Sequence, residues 1–267
     1  MKRILLIAVL LGTMITATTY FVCIAAPSVL FGKGLKGSGN IITRTIDAPA
    51  FDRVDAARAV KVVITDKATD KITIQADDNI MDYVVVKTKD GCLTATIDKS
   101  INNVSNADVT VTIPANGRIR SLEASSAARI TADAVLSADK FSLDASSAAR
   151  IEVAVESTSC SVEASSASKI DAEIKTTSCS VEGSSASKIT LKGSAAKCTV
   201  DMSSASKLDA GDFVVTDCTV STSSAAKATV NCTGKLRAEA SSGSAVRYTG
   251  DCQTSISKSS GGGVSRK

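Results

Sequence analysis

The sequence contains no histidine and no tryptophan, and aromatic residues make up only 3% of it. Without His, the side chain most often used as a general base, and the commonest metal ligand, is missing. The scarcity of rings excludes a broad globular core packed with aromatics. Apolar content comes instead from Ala, Val, Ile and Cys, which suit a narrow, closely layered interior. An excess of one charge is also lacking. Setting aside Lys2 and Arg3 takes the 31 basic residues to 29 against 27 acidic ones. That balance gives no reason to invoke nucleic acid or an anionic membrane surface. Eight cysteines are present, yet no two form a CxxC pair, so neither a metal framework nor a cofactor is expected.

No acidic residue precedes Asp47. The segment MKRILLIAVLLGTMITATTYFVCIAAPSV pairs a short basic start with a long apolar stretch, which reads as an export signal over residues 1–26. Cys23-Ile24-Ala25 offers small residues at the −3 and −1 positions of a cleavage site. The apolar stretch is also long enough to span a bilayer if it is not cut, and Cys23 raises lipidation, although Tyr20-Phe21-Val22 before it is bulky. Each alternative places the remainder outside the cytoplasm, in the periplasm, on the outer surface or secreted. Any membrane contact is expected only through this segment.

The rest of the chain is repetitive. SCSVEASSASKIDA begins at Ser159, and SCSVEGSSASKITL follows nineteen residues later. Aligned on Ser-Ser-Ala, copies start at Ser125, Ser146, Ser165, Ser184, Ser203 and Ser223, with a looser one at Ser241, in steps of 21, 19, 19, 19 and 20 among the first six. A period near 20 is too short for helical repeats and marks a solenoid. Within a copy, Cys160, Val162 and Ala164 alternate with Ser161, Glu163 and Ser165, the period-two pattern of a strand with one buried face. The expected fold is all-β: a single-stranded right-handed parallel β-helix (β-solenoid) with rungs of about 19–21 residues. Each rung is expected to hold two short strands, a tight Ser-Ser-Ala corner and a looser return loop. The chain would make about eleven rungs, roughly 50 Å at one strand spacing per rung.

Stacked rungs turn the repeat into columns. Phe141, Cys160, Cys179, Cys198, Cys218 and Leu236 form one inward column, and Leu122, Leu143, Val162, Val181, Val200 and Val220 another. Ile130, Ile151, Ile170, Ile189 and Leu208 form a third past the corner. Two outward columns are charged: Arg129, Arg150, Lys169, Lys188, Lys207, Lys227 and Arg247, with Arg266 at the end, and Glu123, Asp144, Glu163, Glu182, Asp201 and Glu239, broken by Ser221. Like charges at this spacing repel and need counter-charge or solvent, and the corner brings the two columns within reach of each other. They serve as solubility and register ladders or as a binding strip made of Lys169, Lys188, Lys207, Lys227, Glu163, Glu182 and Asp201. A Ser nucleophile has no His to activate it, and a catalytic residue would not recur in every rung, so the serines read as corner and ladder residues. Cys160 to Cys218 read as small buried hydrophobes. Cys232 and Cys252, at equivalent places near a loop, are the best pair for a disulfide.

Residues 27–37 read as a linker, 38–120 as an N-terminal cap with irregular first rungs, and 121–267 as regular repeats. The first of these strand-rich parts carries KVVIT, KITIQA and ADVTVTIPANG, a KDG turn at 89–91, and Pro114 closing a strand. The stretches GSGNIITRTIDAPAFDRVDAARAVKVVIT, ADDNIMDYVVVKTKDGCLTATI and ADVTVTIPANGRIRSLEASSAARI, in that order, resemble the bacterial family named putative auto-transporter adhesin, head GIN domain. The resemblance covers roughly residues 38–250. It implies an envelope or secreted β-helix protein of Bacteroidetes type, with no catalytic residues to carry over. The chain ends in SSGGGVSRK and leaves no stretch for a translocating β-barrel, so a complete autotransporter is not expected. Together these readings favour a non-enzymatic envelope rod whose partner is an envelope protein or a glycan. The alternative is a polysaccharide-binding or polysaccharide-cleaving β-helix. Short loops, few rings and the lack of a singular carboxylate pair weigh against cleavage.

Overall fold

The corner residues set the architecture. The computed structural model describes residues 34–267. In each Ser-Ser-Ala copy the second Ser and the Ala both adopt positive φ, 51° and 64° at Ser126 and Ala127, 52° and 61° at Ser166 and Ala167. Two left-handed residues in succession reverse the chain sharply, and small side chains limit the steric cost. The first Ser closes the turn: Ala128 N donates to Ser125 O at 3.0 Å. The Ala amide points along the stack and donates to the next copy, as Ala148 N does to Ser166 O at 2.9 Å. The hydrogen-bond ladder therefore continues through every corner, which is what holds two disfavoured residues in place. At the last two corners glycine, which adopts positive φ freely, takes the Ala position, at Gly243 (φ 68°) and Gly261 (φ 78°).

Between corners the chain is a single long strand, at Arg129–Ala145, Arg150–Ala164, Lys169–Gly183, Lys188–Met202, Lys207–Thr222 and Lys227–Ala240. The expected looser return loop is absent from these rungs. Glu156 and Ser157 stay in register with Lys175 and Thr176. Lys175 Nζ lies 3.2 Å from Glu156 Oε1, and Ser157 Oγ donates to Thr176 Oγ1 at 3.2 Å. The corner makes the sharp reversal, so the return only bends and keeps its ladder. The extra residues of the longer steps are absorbed as bulges, between Thr131 and Val135 and between Ala210 and Val214.

The three inward columns stack in register as the alternation requires, and all their members are buried. The column cysteines Cys160, Cys179, Cys198 and Cys218 are free and buried. A fourth inward column runs Ala124, Ala145, Ala164, Gly183, Met202, Thr222 and Ala240. Here small and large residues compensate, because a Cβ on Gly183 would come within 2.4 Å of Met202 Cε.

The two ends differ. Arg53–Ala56 and Lys61–Thr65 make a rung around a corner at Arg58 and Ala59 (φ 58° and 61°). On one side it pairs with Ser121–Ala124 and the start of Arg129–Ala145. On the other it pairs with Cys92–Ile97 and Val109–Pro114. An early rung is thus held between two later ones. Antiparallel strands then close this end: Val84–Lys89 on Cys92–Ile97 through the Asp90-Gly91 turn, Lys71–Asp77 on Val109–Pro114, and Ile41–Asp47 on Lys71–Asp77. The KDG signal is that turn, with φ of 52° and 77°. At the other end Gln253–Lys258 and Gly263–Arg266 form the last turn, and no described strand stacks on it. The solenoid has about 8 turns rather than eleven, because the N-terminal part spends its strands on antiparallel closure.

Candidate functional site

The sequence-predicted strip maps onto two columns on either side of the corner. Lys169, Lys188, Lys207 and Lys227 stack in register, as do Glu163, Glu182 and Asp201. Both columns extend further than the repeat suggests. Asp55 pairs with Glu123 and Lys61 with Arg129, so the acidic column begins at Asp55 and the basic one at Lys61. The segment RVDAARAVKV is a degenerate copy of SLEASSAARI, and the six-residue spacing of Asp55 and Lys61 repeats that of Glu123 and Arg129. That shared spacing was the available signal. At the far end, Ala245 and Gly263 occupy the basic column's positions. Arg247 and Arg266 are not in that column. Arg247 stacks on Thr229 and Arg266 on Tyr248, because the looser copy carries two extra residues.

The two columns do not neutralise each other. No ion pair among the described residues joins them. Lys169 pairs with Asp171, two residues on along its own strand, and Glu152 and Asp209 flank the basic column at the same offset. The basic ladder thus has counter-charge on its own face in places: an ion pair at Lys169, another from Asp108 to Lys61 at its start, and acids beside Arg150 and Lys207. The acidic one faces solvent in a shallow groove lined by Asp144, Glu163, Glu182 and Asp201 with the corner serines Ser165, Ser184 and Ser203. The groove continues past Asp201 to Ser221, Glu239 and Ser257, and there Arg237, which follows Thr219 in the neighbouring column, pairs with Glu239 at 2.8 Å. Burial raises the Asp144 pKa above the usual carboxylate value, and the carboxylates of Glu123 and Glu163, stacked on either side, raise it further. Asp55 is raised by burial.

Beside the carboxylates runs a hydroxyl column of Ser121, Ser142, Ser161, Ser180, Thr199 and Thr219. Ser142 Oγ donates to Ser121 Oγ at 2.8 Å, and Ser161 Oγ donates to Glu163 Oε1 at 3.3 Å. Inside the corner, Ser168 and Ser206 donate to Ala145 O and Gly183 O at 2.7 and 2.9 Å. These buried hydroxyls satisfy backbone carbonyls, a structural task. The arrangement can make many equivalent polar contacts along a line. Among the described residues no cluster of His, Cys, Asp or Glu has the geometry of a metal site.

A family model described as "Putative auto-transporter adhesin, head GIN domain" matches residues 50–252. The chain belongs to this family. The head GIN resemblance read from the three N-terminal stretches is therefore membership, and the matched span runs from the inserted rung to Cys252. An adhesin family of this kind is extracellular or envelope-exposed. No helix among the described residues is long and apolar enough to cross a membrane. The segment read as a signal, residues 1–26 with Cys23, lies outside the described residues.

Solved structures share the head GIN fold at low identity. A protein of Parabacteroides merdae described as a putative adhesin aligns with a TM-score of 0.80 at 20% identity, covering 88% of this chain and 99% of its own. A putative adhesin of Parabacteroides distasonis gives 0.78 at 16%, covering 88% and 100%. A protein of the same species described as a putative lipid binding protein gives 0.75 at 18%, again covering 88% and 100%. At these identities the likeness is one of fold. No curated protein matches the chain. The family and two of these neighbours are described as putative adhesins and the third as a putative lipid binding protein; none of these descriptions is of an enzyme.

Proposed function

We propose that this chain is a non-enzymatic, adhesin-like solenoid of the bacterial envelope or its exterior, holding a partner along its repeated polar face. The observation that carries this reading is the central stretch of the groove, which has no ion pair among the described residues. Glu163, Glu182 and Asp201 stand one strand spacing apart beside a hydroxyl column, with no basic side chain pairing with them. Identical groups at fixed spacing on a rigid scaffold suit a partner that is itself repetitive, such as a glycan chain, or an extended protein surface with regularly placed donors. Lys169, Lys188, Lys207 and Lys227 across the corner give the same partner a second line of contact. Affinity would then come from the sum of weak equivalent contacts. An export segment at residues 1–26 and a final location in the periplasm or on the outer surface belong to the same reading, as do the division at residue 120 and the Bacteroidetes type.

The test is a glycan array, together with envelope-protein capture and a hydrolase and lyase screen, on the full chain. Two triple variants accompany it, Glu163→Gln/Glu182→Gln/Asp201→Asn and Lys169→Gln/Lys188→Gln/Lys207→Gln. The expected result is binding without turnover, weakened about tenfold or more by the acidic triple and less by the basic one. Binding untouched by both triples removes the strip. Glycan cleavage that disappears on changing one acid in one rung overturns the non-enzymatic reading.

A further inference from the structure

The last turn of the solenoid is weakly held. Every residue of Gln253–Lys258 is exposed, and Gly263–Arg266 buries only Val264. Two thiols sit at the point where this turn is attached: Cys232 and Cys252, the pair the sequence suggested for a disulfide, are both free in this structure. Cys232 is fully buried, and its Sγ donates to Thr216 O and Lys235 O at 3.3 and 3.2 Å. Asn231 is in register with Thr249, and Lys235 with Gln253, so the three-residue bends 232–234 and 250–252 lie over one another. Cys252 therefore lies over Gly234, which has no side chain to intervene. The Cys232 thiol is turned toward Lys235, directly beneath the residue after Cys252. Cys252 packs against the core at that place and is only partly buried. Burial pushes the Cys232 thiol up to about 11, and the adjacent thiols of Cys252 and Cys218 add to the rise, against a lowering contribution from the Gly234 backbone.

We infer that Cys232 and Cys252 form a redox staple: a disulfide between them closes the last turn of the solenoid onto the rung below. The oxidant is a small or protein disulfide, RSSR. The Cys252 sulfur, the more accessible of the two, attacks it, forming Cys252–S–SR and releasing RSH. The Cys232 sulfur then attacks the Cys252 sulfur and releases the second RSH. Two thiols lose two electrons and two protons, and RSSR becomes two RSH. Thiolate is the attacking species, so the high pKa of Cys232 makes the second step slow at neutral pH and faster as pH rises. The column thiols Cys160, Cys179 and Cys198 are closed to solvent and stay reduced. Partner binding along the acidic groove is a separate matter, and either proposal survives failure of the other.

The full chain is equilibrated with oxidised glutathione, blocked with iodoacetamide and digested with trypsin without reduction. Cys232 then falls in peptide 228–235 and Cys252 in 248–258, while Cys218 falls in 208–227. The expected result is one species joining 228–235 to 248–258. It should disappear on reduction and in Cys252→Ser, and form faster at pH 8.5 than at pH 7. Amide exchange across 253–266 should slow by about tenfold or more in the oxidised chain. Circular dichroism of Cys252→Ser checks that the solenoid still forms. If both peptides stay alkylated and unlinked at equilibrium, if either joins 208–227, or if Cys252 instead links two chains, the staple is overturned.

Discussion

Among single residues, the carboxylates of the groove carry the clearest signature of their surroundings. Asp144 stands between Glu123 and Glu163, and its pKa is raised in the folded chain from an ordinary value near 3.8. A raised carboxyl binds its proton more tightly when folded than when unfolded. Stability therefore falls as pH rises from the unfolded value through the folded one, and the full cost is present above that window. Asp144→Asn removes the cost. The variant should be more stable than the parent at pH 7 by about 0.5 kcal/mol or less, since the side chain is exposed and screened. The difference should shrink with added salt and vanish near pH 3. Denaturant melts at several pH values check this, and a gain that does not change with pH would mean that charge is not its source.

Elements are matched rung to rung, and the pair of Lys169–Gly183 and Lys188–Met202 shows how. Gly183 faces Met202, which is fully buried, and the missing Cβ is what admits the thioether. Met202→Ala should cost about 3 kcal/mol as a cavity opens. Gly183→Ala alone should cost about 1 kcal/mol, because the flexible end of Met202 must move. Made together, the two should cost less than their sum by about 1 kcal/mol, since the new methyl fills part of the vacated space. Thermal denaturation of the four proteins measures the coupling, and strict additivity would mean that the two side chains do not share one site. The alternation of VEGSSASKI and VDMSSASKL marks both positions as inward-facing. It does not say that they touch, because neither strand alone contains the pairing.

On the scale of the whole molecule the solenoid is a nearly one-dimensional stack, in which each rung depends mainly on its two neighbours. Removing residues 146–164 joins Ala145 to Ser165 and sets Phe141 over Cys179, Leu143 over Val181, Ala145 over Gly183 and Ile130 over Ile170, all inward residues of the same columns. That variant should fold with an unchanged β-type circular dichroism spectrum and a cooperative transition. Removing only 146–154 deletes a corner without its strand, reverses the facing of the remaining half-rung and should not fold. If the whole-rung deletion also fails to fold, the rungs are not interchangeable units.

The sequence by itself determined the rung: its period, its corner and which residues face inward. Those features are local, and every rung's surroundings are copies of itself, so one rung read correctly predicts the others. Tertiary structure alone decided which segments are neighbours when the copies are imperfect. The rung at Arg53–Thr65 lies between Cys92–Pro114 and Ser121–Ala132, and this adds Asp55 and Lys61 to the two charged columns. It also decided that Lys169 turns to Asp171 on its own strand rather than to Glu163 across the corner, which leaves the acidic groove open. Those outcomes depend on registers between segments far apart in the chain, and on the direction each long side chain takes. A local alternation of apolar and polar residues encodes neither.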